Sequence, residues 1–162
     1  MSLVSTHRTR ARRVDYRPPL TVIALTALLV LLAAGSLQGG ITMVADPESP
    51  MGMALEHLEA TPFVNYFWPG VFLLGIALAS ALTIPGLLLL WEWRWAWRIE
   101  NLVGYEWPWI SVMAIGILLF SFEVIALVFG QLSVTMHLLL VAVSLNTIGL
   151  ALTDSARGYL AS

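Results

Sequence analysis

Cysteine is absent from the 162 residues, and so is lysine, all eight basic residues being arginine. Without a thiol there is no disulfide, thiolate nucleophile, iron–sulfur cluster or cysteine-ligated zinc site. Charge is scarce as well: 11% of the chain, where a soluble domain carries about a quarter to keep its surface wet. The formal charge of −2 sets up no basic field for nucleic acid. The chain has no glycine-rich phosphate loop, nucleophile elbow or paired-histidine metalloprotease motif, so no catalytic, cofactor or metal residue is assigned. What fills the chain is apolar, at 59% with a mean hydropathy of +0.84. That composition belongs to a membrane protein, and at about 20 residues per span the length accommodates about four helices with short connections.

Ser2 to Pro19 holds Arg8, Arg10, Arg12, Arg13 and Arg17 among few apolar residues, and residues 1–19 read as a basic tail at a membrane surface. Leu20 to Leu37 is the first predicted span. Its basic flank and the run Ala33-Ala34-Gly35-Ser36 also resemble a cleavable secretory signal, but the apolar stretch is longer than a signal core, which favours a retained anchor. From Gln38 to Ala60 hydropathy falls. Asp46-Pro47 and Ser49-Pro50 each resemble a helix start, and Met51, Ala54, Leu55 and Leu58 would line one face of a short helix lying on the membrane. Glu56-His57-Leu58-Glu59 offers metal-compatible groups, but adjacent residues do not share a helical face and the spacing fits no zinc motif.

The second predicted span runs from Pro62 to Trp91, with Thr61 as its cap. It is longer than a bilayer core, and Pro69-Gly70 and Pro85-Gly86 interrupt it, so tilt and a kink at Pro69 or Pro85 are expected. Within it, Gly75 with Ala79 and Ala77 with Ala81 give the four-residue spacing of close helix packing. The segment Thr61-Pro62-Phe63, then Tyr66, then Pro69-Gly70 resembles a pattern at the head of a spanning helix in small bacterial four-helix membrane proteins. The resemblance implies a four-span layout and brings no activity and no catalytic residues with it.

Six of the seven tryptophans lie between residues 91 and 109. Trp91, Trp93, Trp95 and Trp97 alternate with Arg94 and Arg98 nearby, a composition suited to the headgroup layer, where indoles sit half buried and arginines reach phosphates or stack on rings. A lone strand would leave its backbone unpaired there, so an interfacial helix from Trp91 to Val103, ended by Gly104, is expected.

Residues 108–129 and 132–152 are the third and fourth predicted spans, joined by the tight turn Gly130-Gln131 as an antiparallel hairpin, and residues 153–162 form a polar tail. Trp109, Val112, Gly116, Leu119, Glu123, Ala126 and Gly130 form one stripe of span three; His137, Val141, Ser144, Ile148, Ala151 and Ser155 form one of span four. The two stripes should meet, because small residues let helices approach closely in lipid. Glu123 and His137 lie nearly equally far from the turn, so they are expected to pair across it. Asn146, at the depth of Ala114, is expected to make an interhelical polar contact, whereas Thr83 and Ser121 can bond their own helices.

The arginines sort onto alternate connections, five before span one, two between spans two and three, and one after span four. Arginine-rich short loops stay cytoplasmic, so both termini are expected inside, in a multi-pass protein of the bacterial inner membrane. The fold class is therefore an all-α, four-transmembrane-helix bundle with a short interfacial helix in each of the first two connections. Its partners are the lipid bilayer and either a larger membrane-protein complex or further copies of itself. The function this favours is a structural or accessory subunit. One alternative is a carrier or conduit for protons, ions or a small lipophile using Glu123 and His137; another is a lipid-modifying membrane enzyme using them as acid and base.

Overall fold

The computed structural model describes residues 17–59, 61–89, 96–129 and 134–160. Its regular elements are helices: α1 (Leu20–Ala45), α2 (Phe67–Leu89), α3 (Trp97–Val103), α4 (Trp107–Phe129), α5 (Val134–Ala151) and α6 (Asp154–Leu160). In the four long helices, α1 packs on α2, α2 on α4, α4 on α5 and α5 back on α1, closing a ring. Three of them, α1, α2 and α4, are long and apolar enough to cross a membrane; α5 and α6 together, bent by 63° at the break between them, would make a fourth. The shared core is drawn from every wall of the ring, with Leu25 and Leu29 of α1, Leu87 of α2, Val112 and Ile115 of α4 and Ala151 of α5 all at 2% exposure or less.

Helix α1 runs eight residues beyond the predicted end of span one, through Gln38-Gly39-Gly40. These glycines are a packing device and do not stop the helix. A β-carbon on Gly40 would lie 2.9 Å from the Gly70 carbonyl oxygen, and one on Gly70 would lie 2.7 Å from the Met43 β-carbon. Only bare backbone lets α1 and α2 cross this closely.

The predicted helix over residues 51–59 is replaced by two 3₁₀ turns, Pro50–Gly52 and Leu55–Leu58. Met51 and Gly52 take positive φ, 53° and 77°, and no right-handed helix continues through such a pair. Nor does Thr61 cap span two. Its hydroxyl accepts from Phe63 N–H and donates to the Leu58 carbonyl, closing a local turn, while Asn65 Oδ1 accepts from Phe67 N–H at the true start of α2. Pro69 therefore falls in the first turn, where a missing N–H breaks no helical bond, and the kink expected there has no cause. Pro85 does lie in the interior, and α2 runs unbroken through it to Leu89. The loop returns onto itself at Tyr66, 2% exposed, whose N–H donates to the Pro47 carbonyl and whose hydroxyl donates to the Ala54 carbonyl.

Helix α3 covers the last part of the expected interfacial helix, and Gly104, at φ 79°, ends it by donating its N–H to the Glu100 carbonyl. The chain after α5 is not a loose polar tail. Thr153 caps α6, accepting from Ala156 N–H through Oγ1 and from Arg157 N–H through its carbonyl, and Ala156, Tyr159 and Leu160 are buried against the ring.

Candidate functional site

Two long helices meet along facing stripes of small and polar residues. On α4 the stripe is Trp109, Gly116 and Glu123; on α5 it is Ala151, Ser144 and His137. At one level the Trp109 indole N–H donates to the Ala151 carbonyl at 2.9 Å. Two turns along, a β-carbon on Gly116 would lie 3.6 Å from the Ser144 carbonyl oxygen and 2.7 Å from Ile148 Cγ1, so glycine is what admits α5 to this distance. Two turns further, His137 Nδ1 lies 2.6 Å from Glu123 Oε2.

Glu123 is 2% exposed and His137 8%. They are the sole ionisable side chains within α1, α2, α4 and α5. A buried carboxyl or imidazole left without a partner loses its hydration with nothing in return, and here each answers the other. The contact is short enough for a charge-assisted hydrogen bond, and one proton held between Nδ1 and Oε2 satisfies both atoms. Chemically, such a pair can bind, hold or hand on a proton. It also pins the register of the hairpin, because a slip by one residue would take both groups off the shared face.

Of the other buried hydroxyls in the long helices, Thr83, Ser144 and Thr147 are hydrogen-bonded, whereas Ser80 Oγ on α2 has no partner among the described residues. Thr83 Oγ1 donates to the Ala79 carbonyl at 2.7 Å, as expected for a helix threonine, and also lies 2.8 Å from Ser111 Oγ, tying α2 to α4. Ser144 and Thr147 donate to carbonyls of α5 itself. Beside this seam Gly86 of α2 receives the Trp107 ring, which leaves no room for a β-carbon. The Thr83–Ser111 link is not legible in the sequence, because it depends on the register between two helices that are not adjacent in the chain.

Asn146 differs from expectation. Its Nδ2 donates to the Ala142 carbonyl, one turn back in the same helix, and the side chain is exposed on the outside of the ring. Trp91, Trp93, Arg94 and Trp95 lie outside the described residues. Arg98 places its guanidinium 5.6 Å from the centre of the exposed Trp97 ring, and Glu100 Oε1 accepts from Trp107 N–H at the start of α4. Tyr105 stacks on Trp109 with ring centres 4.2 Å apart. Among the described residues no three His, Cys, Asp or Glu side chains converge as a metal site would require. A shallow apolar groove of about 270 Å³ runs between α2 and α4 past Gly75, Ala79, Ser111 and Ala114, and neither Glu123 nor His137 borders it.

The fold and the pair thus define a small, all-helical bundle with three to four helices apolar enough to cross a membrane, carrying one buried carboxyl–imidazole contact. Comparison with protein-family models, curated proteins and solved structures finds no match for this chain.

Proposed function

We propose that this chain is a four-span protein of the bacterial inner membrane, with both termini in the cytoplasm, and that it works as a structural or accessory subunit packed beside larger membrane proteins. The observation that carries the reading is the Glu123–His137 contact. The ionisable groups within the long helices are spent on each other, and the outward faces of the bundle, such as Leu31, Leu78, Leu118 and Leu139, present hydrocarbon to their surroundings. A protein of this kind offers surface and register to a neighbour. The arrangement of arginines supports the orientation, and the part played by α1 in the core supports its retention as an anchor.

The same pair supports a second reading, carriage of protons or ions, because titratable groups at membrane depth commonly mark such routes. Native purification in mild detergent separates the two. Stoichiometric co-purification with other membrane proteins, and vesicles of the purified chain that hold a proton gradient, are expected. A particle of this chain alone that dissipates the gradient, and ceases to when Glu123→Gln is introduced, overturns the accessory reading.

A further inference from the structure

The outward face of α5 carries a feature that a lipid-facing surface has no use for. Asn146 is exposed there, with Ala142 one turn before it and Gly149 one turn after it, both exposed as well. Its amide gives one N–H to the Ala142 carbonyl, and neither the amide oxygen nor the second N–H has a partner among the described residues. By the hairpin register Asn146 stands level with Ala114, four residues from the middle of α4, or about 6 Å along the helix axis. That is inside a hydrocarbon layer whose half-thickness is about 15 Å, on the membrane placement proposed above, on which this inference rests. Acyl chains offer an amide neither donor nor acceptor.

Gly149 lies on the same face, and among the described residues a β-carbon there would meet nothing within 4 Å, as at Gly35 of α1 and Gly75 of α2, so the backbone of α5 is open to a neighbour at this point.

We propose that α5 is a self-association surface, on which a second copy of this chain pairs with the first through Asn146. A primary amide is its own complement, with a donor and an acceptor side by side. A two-fold axis beside Asn146 sets each residue against itself, so the two amides exchange N–H and C=O reciprocally. Ala142 and Gly149 then allow the backbones close enough for that exchange.

The absence of cysteine makes the test clean. Full-length Gly149→Cys is placed in membranes, washed with alkaline carbonate and oxidised, with Leu31→Cys on the outward face of α1 as control. Disulfide-linked dimers are expected from Gly149→Cys and not from Leu31→Cys. Adding Asn146→Leu should weaken association about tenfold in a dilution series, and Asn146→Gln, which keeps the amide, should restore much of it. Release of the protein by carbonate defeats the membrane placement and the pairing together. Protein that stays in the membrane yet gives no dimer, links equally well from Leu31→Cys, ignores Asn146→Leu, or links only to a different protein overturns the pairing alone.

Discussion

Glu123 and His137 hold one end of the α4–α5 hairpin as Trp109 and Ala151 hold the other, fourteen residues away along each helix. A repeat of seven residues keeps one face of each helix in contact over that length if the two wrap gently around one another. The hairpin is thereby clamped twice, by a polar side-chain pair at one end and by an indole on a carbonyl at the other, with Gly116 as the point of closest approach between them.

Breaking the pair from one side should cost more than removing it. Glu123→Leu or His137→Leu alone leaves a buried polar partner stranded, with an expected loss of about 3 kcal/mol, and the double substitution to leucine should recover about half of that. Reversible unfolding in mixed micelles measures it. Additive losses in the double variant would contradict a structural pairing.

Glycines with a neighbour and glycines without one should respond differently. Gly86→Ala drives a methyl into the Trp107 ring and is expected to cost about 2 kcal/mol, whereas Gly75→Ala enters open space and should be neutral or slightly stabilising. Pairing Gly86→Ala with Trp107→Leu should return most of the loss. Thermal unfolding of the three variants decides, and equal effects at both glycines would refute the close packing.

The proposed orientation places residue 56 outside and residues 98 and 157 inside. A membrane-impermeant maleimide added to intact cells should label Glu56→Cys and spare Arg98→Cys and Arg157→Cys until the cells are lysed. Labelling of either arginine position from outside inverts the topology.

Burial pushes the Tyr66 phenol above its ordinary value of about 10. The folded form favours the neutral hydroxyl that donates to Ala54, so its contribution is whole below the unfolded tyrosine value and is lost as pH rises through the higher folded one. The phenolate absorbance that disappears on Tyr66→Phe should therefore titrate later than a free tyrosine. The substitution should also loosen the 46–66 loop by about 1 kcal/mol, read as faster proteolysis there. Titration at the free-tyrosine value would show the loop open.

Much of the architecture was legible because apolar periodicity and depth can be counted. Span three was placed within one residue of α4, and equal distance from the hairpin turn set Glu123 level with His137. Counting depth does not give rotation about the helix axis, and Asn146 shows the difference. It lies two residues past Ser144, about 200° round α5, which turns it away from the seam that Ser144 faces. Glycine was ambiguous for a related reason: Gly39-Gly40 reads as a helix stop locally, and only the approach of Gly70 from another helix reveals its use. Helix α6 is hard to read because it spans only two turns; its sign in the sequence is Thr153 before Asp154, with Ala156, Tyr159 and Leu160 at helical spacing.

Helix α6 also sets the order in which the molecule can be completed. Its Ala156, Tyr159 and Leu160 belong to the same core as Val22 and Leu25, and the Thr21 hydroxyl meets that of Ser155 at 3.1 Å across a sequence separation of 134 residues. During synthesis α1 emerges first and must wait, with part of its buried face uncovered, until residues near 160 have left the ribosome. The bundle is thus sewn shut at its first and last stitches together. Shortening the chain by a dozen residues would take away α6 and leave α1 without the neighbour that covers Val22 and Leu25.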